Sequence, residues 1–458
     1  MAADAVQMAI QAAHDEDVAR AAAHAPPEAV PLVEEDEDEP TLHAELSLTN
    51  MAARWKRDLF ENVIPFWEKH SLDRKHGGYF TCCDRDGAIL DDSKYMWLQA
   101  RAVFMWSRLH NEYRFTTSIA TTDRWFEAAK LGADFLKHGK DADGRLYFAV
   151  SRDGGTKLHF QRKPYAAVFY CLAALEYAEA LRQRGYAIEA TPWLDEAVAY
   201  FERLREWIDA PHLLGRPPVA PAGPCEYSSL ADVMCMSSLA EELLAKIPEQ
   251  RERWLAEIKT SQAAVALHFD AERNVLMERA HRVRGVSHEE AAGRLFNPGH
   301  SIEVAWFLLH LCRLVPNDDL QAIALRALEG SLERGWDREH GGLVYMMDIL
   351  GKPLLDATVT AEHKLWWPVT EALYACTLAL EVSGGDAKWL RWLRTVHAYA
   401  YEKLCDADGG GEWYGYLRPD GTPFNACKGG NYKGFFHVPR ALLYALRSAE
   451  RQGAGVEL

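Results

Sequence analysis

Two histidines have neighbours that could tune an imidazole for proton transfer. His300 precedes Glu303 by three positions, so both side chains share one face of a predicted helix. A carboxylate in that place orients the ring and adjusts its pKa. His437 opens a second segment of the same polar and aromatic character. Two imidazoles with pKa values near ~6.5 exchange protons with a ligand at neutral pH, which predicts general acid–base catalysis.

Arginine, glutamate and aromatic residues occur in similar segments. Arg101 lies in an otherwise apolar helix, where a buried guanidinium needs an anionic or hydrogen-bonding partner. Glu371 follows a tryptophan pair and serves either a ligand or a neighbouring helix. Aromatic side chains beside His and Glu can stack on a sugar ring, although they equally suit a core. Five residues of these segments are predicted to bind substrate: Trp97, Asn297, Lys364, Trp367 and Tyr432.

The elements that position these residues follow a repeat. An Asp, a Gly-rich turn and a short aromatic run recur at intervals of 61 to 69 residues, which gives six units. The turns begin at Asp73, Asp141, Asp209, Asp270, Asp337 and Asp406. Apolar spacing predicts two helices in each unit. Odd-numbered helices are expected near 51–70, 123–138, 191–207, 250–268, 319–335 and 386–405, and even-numbered helices near 94–113, 164–184, 226–246, 298–315, 362–382 and 434–452.

Twelve alternating helices predict an all-α fold, an (α/α)6 barrel in which the even-numbered helices form the inner ring. An open superhelix of helix pairs is the alternative. The polar segments described above all begin even-numbered helices, so a closed barrel would gather them at one mouth. Helix N-termini there would direct the positive ends of their dipoles into one cavity and stabilise a developing oxyanion.

Charge and cysteine usage narrow the classes of partner. Residues 1–48 carry twelve acids and one base in a chain of net charge −16, and they predict an acidic, disordered tail before a catalytic domain at 49–458. The mildly acidic body disfavours nucleic acid and anionic membranes, and the sequence has no apolar stretch of about 18 residues that would span a membrane. Nine scattered cysteines without a CxxC pair predict a reduced, cytoplasmic protein without a metal site.

Four segments carry a resemblance to a known family. The sequence resembles the N-acylglucosamine 2-epimerases over residues 52–448, in KYMWLQARAVFMWSRL, NPGHSIEVAWFLL, HKLWWPVTEAL and KGGNYKGFFHVPRALL. The resemblance implies an (α/α)6 barrel, a homodimer, and ATP as an activator that is not consumed. It also implies functional roles for Arg101, His300, Glu371 and His437, with Glu303 beside His300.

Two places depart from the family pattern. Ala166 and Ala167 stand where the family often has a Ser-Glu pair, and Phe435 stands where the vertebrate type has Cys. Both departures predict a changed substrate pocket.

The family implies inversion of C2 in an N-acetylated amino sugar, the interconversion of N-acetylglucosamine and N-acetylmannosamine. Such chemistry requires the open-chain aldehyde, whose carbonyl acidifies the C2 proton. One histidine removes the proton from one face, an enediolate forms, and the other histidine returns a proton to the opposite face. Arg101 and the helix ends supply positive charge to the intermediate. No metal or nicotinamide cofactor is required.

Three alternatives stay open. The first is an epimerase or aldose–ketose isomerase of another free sugar on the same barrel. The second is a glycoside hydrolase, which would need two carboxylates flanking the bond, with Glu303 and Glu371 as candidates; the paired histidines argue against it. The third is a non-catalytic interaction protein, suggested by the renin-binding relatives within the family and by the acidic tail.

Overall fold

The computed structural model describes residues 46–160, 163–214, 225–354, 361–406, 408 and 411–455. The predicted acidic tail, residues 1–48, lies outside these residues except for its last three. None of the helices in the described ranges is long and apolar enough to cross a membrane.

Twelve long helices alternate along the described residues, as the repeat predicts. In chain order they are α1 (Leu48–Arg57, continued by the π-helical turn Asp58–Val63 and by Ile64–His70), α2 (Met96–Tyr113), α3 (Ile119–Leu136), α4 (Tyr165–Gln183), α5 (Ala187–Asp209), α6 (Leu230–Lys246), α7 (Arg251–Leu267), α8 (Pro298–Leu314), α9 (Asp318–Gly335), α10 (Trp366–Val382), α11 (Ala387–Tyr399, followed by the π-helical turn Ala400–Leu404) and α12 (His437–Arg451). A short helix, Ala291–Arg294, lies before α8.

Short antiparallel strands connect the helices at one end of the molecule. They are β1 (Cys82–Cys83), β2 (Ile89–Asp91), β3 (Lys94–Tyr95), β4 (Ala149–Val150), β5 (Lys157–His159), β6 (Tyr227–Ser229), β7 (Phe269–Asp270), β8 (Val275–Leu276), β9 (Arg279–His281), β10 (Leu295–Phe296), β11 (Met347–Asp348), β12 (Lys364–Leu365) and β13 (Tyr416–Leu417). They pair as β1–β2, β3–β4–β5, β6–β9, β7–β8, β10–β11 and β12–β13. Helices α2, α6 and α10 start two to four residues later than predicted, because β3, β6 and β12 occupy the residues before them.

Burial separates the even-numbered helices from the odd-numbered ones. In α10 every residue from Pro368 to Leu380 is buried, which is the pattern of a helix enclosed on all sides. In α11 burial is confined to one stripe that includes Trp389, Trp392, Leu393 and Val396. The even-numbered helices therefore form the inner ring, as predicted, and the odd-numbered helices cover it.

The inner ring closes between α12 and α2. The ring of Trp106 in α2 stacks on Phe435, just before α12, with centroids 4.2 Å apart. Phe104 and Phe436 make a second contact at 5.8 Å. First and last repeats thus pack against each other, which confirms the closed (α/α)6 barrel over the open superhelix.

A buried lysine–carboxylate pair recurs where the chain approaches an inner helix. In each pair the lysine lies on the strand or loop before the helix, and the aspartate begins the Gly-rich turn of a repeat. The pairs are Lys94–Asp73, Lys364–Asp337 and Lys428–Asp406. Removing one partner would leave a buried charge uncompensated, so these pairs hold the turns firmly at the mouth of the barrel.

Candidate active site

A cavity of about 600 Å³ opens at the mouth of the barrel, where the inner helices begin. Its lining is mostly aromatic, with three histidines, one arginine and one glutamate. It is lined by Trp97, Arg101, Tyr165, Met234, His300, Glu303, Tyr345, His363, Leu365, Trp366, Trp367, Tyr416, Tyr432 and His437. The prediction that the starts of the even-numbered helices meet at one cavity therefore agrees with the geometry.

His300 is held by Glu278, a carboxylate outside the predicted set of site residues. Its Nδ1–H donates to Glu278 Oε1 at 2.8 Å, which leaves Nε2 for the cavity. Burial alone lowers the pKa of His300, but the charge and hydrogen bond of Glu278, helped by Glu303, outweigh it, and the net pKa is raised. The ring lies 5.1 Å from that of Trp367, centroid to centroid.

His437 has the opposite electrostatic surroundings. Its Nδ1–H donates to Glu371 Oε1 at 2.7 Å, so Nε2 again remains for the cavity. Burial and then the positive charges of Arg101 and Arg440 hold the pKa of His437 well below its ordinary value, with Glu303 opposing them. At neutral pH this imidazole is uncharged and can accept a proton.

Arg440 joins the two carboxylates at the floor of the site. Its Nη2 donates to Glu303 Oε1 at 2.6 Å and to Glu371 Oε1 at 2.7 Å. The second oxygen of Glu371 accepts a hydrogen bond from Trp306 Nε1 at 3.0 Å. Glu371 does not line the cavity, so it positions His437 and does not touch a ligand.

Arg101 presents its charge to the cavity from an aromatic cage. Its guanidinium carbon lies 3.9 Å from the ring centre of Phe169, 4.4 Å from Trp97 and 4.7 Å from Phe436. Its Nε is buried and has no hydrogen-bond partner among the described residues. Burial lowers the pKa of Arg101 to about 9, with Glu303 opposing and Arg440 reinforcing the shift, so the group stays charged at neutral pH.

One cluster of the described residues has the spacing of a metal site. Glu303, Glu371 and His437 bring potential ligand atoms within 4.8 Å of one another. The guanidinium of Arg440 already bonds both carboxylates and supplies the positive charge between them. The donor set is therefore an arginine-bridged carboxylate pair, and it does not fit a resident metal ion.

Three of the sequence-predicted residues have protein partners other than the predicted ones. Asn297 caps α8, where its Oδ1 accepts from the His300 N–H at 3.0 Å, and Lys364 is buried against Asp337; neither lines the cavity. Both residues were selected because they open polar segments, but a helix cap and an ion pair use the same residue types. Glu303, predicted to orient His300, instead accepts from Arg440.

The departures from the family pattern also lie outside the cavity lining. Ala166 and Ala167 are buried in the first turn of α4, and Phe435 stacks on Trp106. None of these three side chains therefore contacts the cavity directly, as a changed pocket would require.

Two residues that matter in this geometry were missed. Arg440 follows His437 by three positions, and that helical spacing was a usable signal. Glu278 lies 22 residues before His300 in a loop between β8 and β9, and no periodic pattern connects them. The lining residues Tyr165, Met234, Tyr345, His363 and Tyr416 were likewise not predicted.

The chain matches the protein family described as N-acylglucosamine 2-epimerase over residues 78–222 and 226–441. It is 32% identical to human (Homo sapiens) N-acylglucosamine 2-epimerase over 397 residues, which cover 85% of this chain and 88% of the relative. Its fold is similar to that of cellobiose 2-epimerase from Spirochaeta thermophila DSM 6192, with a TM-score of 0.70 and 22% identity over 90% and 99% of the two chains. A D-mannose isomerase structure gives a TM-score of 0.67 at 17% identity, over 90% and 99% of the two chains.

Proposed function

The chain belongs to the N-acylglucosamine 2-epimerase family, and we propose that it interconverts N-acetylglucosamine and N-acetylmannosamine by moving the proton on C2. It is a sugar isomerase by this family membership. The proposal concerns the particular sugar and the way in which the cavity moves its proton.

The observation that carries the proposal is the pair of unequal histidines in one cavity. Each ring uses Nδ1 for a carboxylate, Glu278 for His300 and Glu371 for His437, and keeps Nε2 for a ligand. The pKa of His300 is raised and that of His437 is lowered. Two titratable groups whose environments push their pKa values apart are suited to act as acid and base in one reaction.

The proposed reaction starts from the open-chain aldehyde. Nε2 of neutral His437 removes the C2 proton, and the electron pair of the C2–H bond moves into the C1 carbonyl to give an enolate. Arg101 stabilises the oxygen that becomes negative, because its guanidinium is buried at the cavity wall. Protonated His300 then gives its Nε2 proton to the opposite face of C2, and the aldehyde is restored with inverted configuration.

The rest of the lining suits a small neutral sugar. Trp97, Trp367 and Tyr432 offer aromatic faces on which the apolar side of a sugar can stack. A cavity of about 600 Å³ is of the size that proteins use for small molecules. Arg101 is the one arginine or lysine among the lining residues, so a phosphorylated sugar would find little matching charge.

The geometry argues against glycosidic hydrolysis. Such an enzyme needs two carboxyl groups on either side of a bond, both in contact with the substrate. Here Glu303 and Glu371 share one nitrogen of Arg440, and Glu371 lies behind the cavity lining. The two carboxylates lie side by side at the bottom of the cavity and are not on opposite sides of a ligand.

We also propose, on family resemblance alone, a cytoplasmic homodimer that ATP activates without being consumed. Light scattering would give the oligomeric state. Epimerase assays with and without ATP, with phosphate release measured in parallel, would test the activation.

The test of the function is proton NMR in deuterium oxide with purified full-length protein. We expect loss of the C2 proton signal from both N-acetylated sugars together with their interconversion. Mannose, glucose and cellobiose serve as the comparison panel. Exchange confined to an unacetylated sugar would instead establish an epimerase or isomerase of that sugar, and no exchange with any member would refute the catalytic proposal.

A further inference from the structure

We propose that Arg440 is a positioning residue that decides which histidine holds the proton in the free enzyme, an inference that rests on the proposed function. It neutralises the carboxylate behind His437, whereas the carboxylate behind His300 is left unneutralised. Before substrate binds, His437 is therefore neutral and acts as the base, and His300 is protonated and acts as the acid.

The first step is the sharing of one carboxylate oxygen. Glu371 Oε1 accepts from His437 Nδ1 at 2.7 Å and from Arg440 Nη2 at 2.7 Å. A carboxylate whose charge is already paired with a guanidinium attracts a second cation less strongly. Glu371 therefore orients the His437 ring without stabilising its protonated form as a free carboxylate would.

The second step is that Arg440 is fixed and shielded from water. Its guanidinium carbon lies 4.6 Å from the ring centre of Phe436 and 5.2 Å from that of Trp306, and the residue is 6% exposed. Its single Nη2 also bonds Glu303. Solvent screens a buried charge less than an exposed one, so the positive charge of Arg440 opposes protonation of His437.

The third step is the contrast at His300. Glu278 reaches the ring from the loop between β8 and β9, and among the described residues no arginine or lysine forms an ion pair with it. The imidazole of His300 thus lies 2.8 Å from a carboxylate that no arginine or lysine of the described residues neutralises. A proton in the free site is stabilised here and not at His437.

The sum of the charged groups that face the two rings agrees with this assignment, although Glu303 opposes it at His437. They come from α2, α8, α10, α12 and the loop before β9. Those that face His437 are Arg101, Arg440, Glu303, Glu371 and His300, and those that face His300 are Glu278 and Glu303. At His437 the positive charges of Arg101, Arg440 and protonated His300 meet two carboxylates, whereas His300 faces two carboxylates, which matches the lowered pKa of His437 and the raised pKa of His300.

The experiment is NMR titration of full-length protein labelled with ¹⁵N-histidine, between pH 5.5 and 8.5. The two signals are assigned among the 18 histidines by His300→Asn and His437→Asn. In the wild type, at pH 6.5, we expect His437 to be neutral and His300 to be protonated. In Arg440→Gln we expect His437 to titrate within the window, and the acid limb of kcat/KM to move up by about one pH unit.

Arg447→Gln is the matched control, because Arg447 lies on the same helix but pairs with Glu450 outside the cavity. A protonated His437 in the wild type at pH 6.5 would overturn the proposal. So would a folded Arg440→Gln with His437 still neutral and the limb unmoved, or an equal shift in Arg447→Gln. If Arg440→Gln does not fold, the wild-type titration decides, together with Arg440→Lys, which keeps the charge and should keep His437 neutral.

The NMR titration measures the protonation of the two histidines and does not depend on catalytic turnover. A protein with the expected titration that epimerises no sugar would refute the proposed function and leave the role of Arg440 in place. An active epimerase with the opposite proton assignment would do the reverse.

Discussion

Both ends of the barrel contain buried charged side chains, but the partners of these side chains differ between the two ends. Near the C-terminal ends of the inner helices a second cavity, of about 350 Å³, is lined by paired ions. There Arg108 lies 2.9 Å from Glu176, and Lys246 lies 2.6 Å from the same carboxylate. His310 uses both ring nitrogens for hydrogen bonds to protein groups. At the mouth, by contrast, no described carboxylate forms an ion pair with Arg101, and aromatic rings surround its guanidinium.

This difference distinguishes polar groups that stabilise the fold from polar groups that are available to bind a ligand. At the second cavity, each arginine and glutamate in the lining has an ion-pair or hydrogen-bond partner within the described residues. At the mouth, both histidines keep one nitrogen for the cavity, and their pKa values move apart. Substitutions at the mouth should therefore change catalysis, and substitutions at the far end should change stability.

The largest effect is expected from the two histidines of the mouth. His300→Asn and His437→Asn should each lower net epimerisation by about 100-fold or more, because each removes one of the two proton carriers. Deuterium wash-in should persist in each variant on the one epimer whose proton faces the remaining histidine. His310→Asn, on the same helix as His300, is the control. Net epimerisation at the wild-type rate in either mouth variant would make that histidine structural.

A smaller loss is expected from Arg101→Lys. The lysine keeps the charge but loses the planar group that stacks in the cage of Trp97, Phe169 and Phe436. We expect kcat/KM to fall by more than tenfold, which corresponds to about 1.4 kcal/mol. The same change at Arg313 of the second cavity should leave the kinetics unaltered. Equal kinetics for wild type and Arg101→Lys would remove this residue from the reaction.

The pH dependence should show two limbs, one on each side of the ordinary histidine pKa. Because the pKa of His437 is lowered, its base form survives to acidic pH and activity falls only below that pKa. Because the pKa of His300 is raised, its acid form survives above 6.5 and is lost at more alkaline pH. Beyond either limb, kcat/KM should change about tenfold per pH unit. A single limb near 6.5 in both reaction directions would contradict the unequal pair.

At the far end we expect a stability effect with little kinetic effect. Burial opposes ionisation of Glu176, but Arg108 and Lys246 lower its pKa to about 2. Its contribution to stability is therefore present above the unfolded pKa and is lost as pH falls toward 2. Glu176→Gln should cost about 3 kcal/mol of unfolding free energy at pH 7, because two buried cations lose their partner.

Denaturant unfolding would measure that loss, and kcat measured well below the melting temperature should stay within about threefold of wild type. In the wild type, stability should decline steadily between pH 5 and 2, and the variant should lack this part of the decline. A kinetic loss as large as that of Arg101→Lys would show that the far end takes part in catalysis.

The smallest effect is expected from the acidic tail. Deleting residues 1–45 should leave melting temperature and turnover unchanged, because this stretch is strongly acidic and has little periodic apolar surface with which to pack on the barrel. Leu46 accepts a hydrogen bond from Arg394, and Ser47 caps α1 by accepting from the Asn50 N–H. A deletion through residue 48 should therefore cost about 1 kcal/mol more. A large loss from the shorter deletion would show that the tail packs on the barrel.

The barrel could be predicted from the sequence because its information is periodic. The repeated Asp and Gly turns set the number of units, and the apolar spacing set the alternation of inner and outer helices. The positions of Arg101, His300 and His437 followed from their place at the starts of inner helices. These three line the cavity, as do Trp97, Trp367 and Tyr432.

The partners of those side chains could not be predicted, because they depend on contacts between distant parts of the chain. Glu278 reaches His300 from a loop, and Glu371 accepts hydrogen bonds from both His437 and Arg440. Asn297 shows a related ambiguity, since a good substrate-binding residue type is also a good helix cap. Residue type gives the chemistry available, and only the fold decides which pairings use it.

The recurring lysine–aspartate pairs give three of the connections a fixed base, above which exposed side chains form a replaceable rim. The pairs Lys94–Asp73, Lys364–Asp337 and Lys428–Asp406 hold these connections, while Phe424 and Tyr432 of the last one are half exposed. Rim residues can change, or loops can be grafted, without moving the helix starts that carry the proton chemistry. Such modularity lets selection or design alter which sugar enters while the reaction itself is inherited intact.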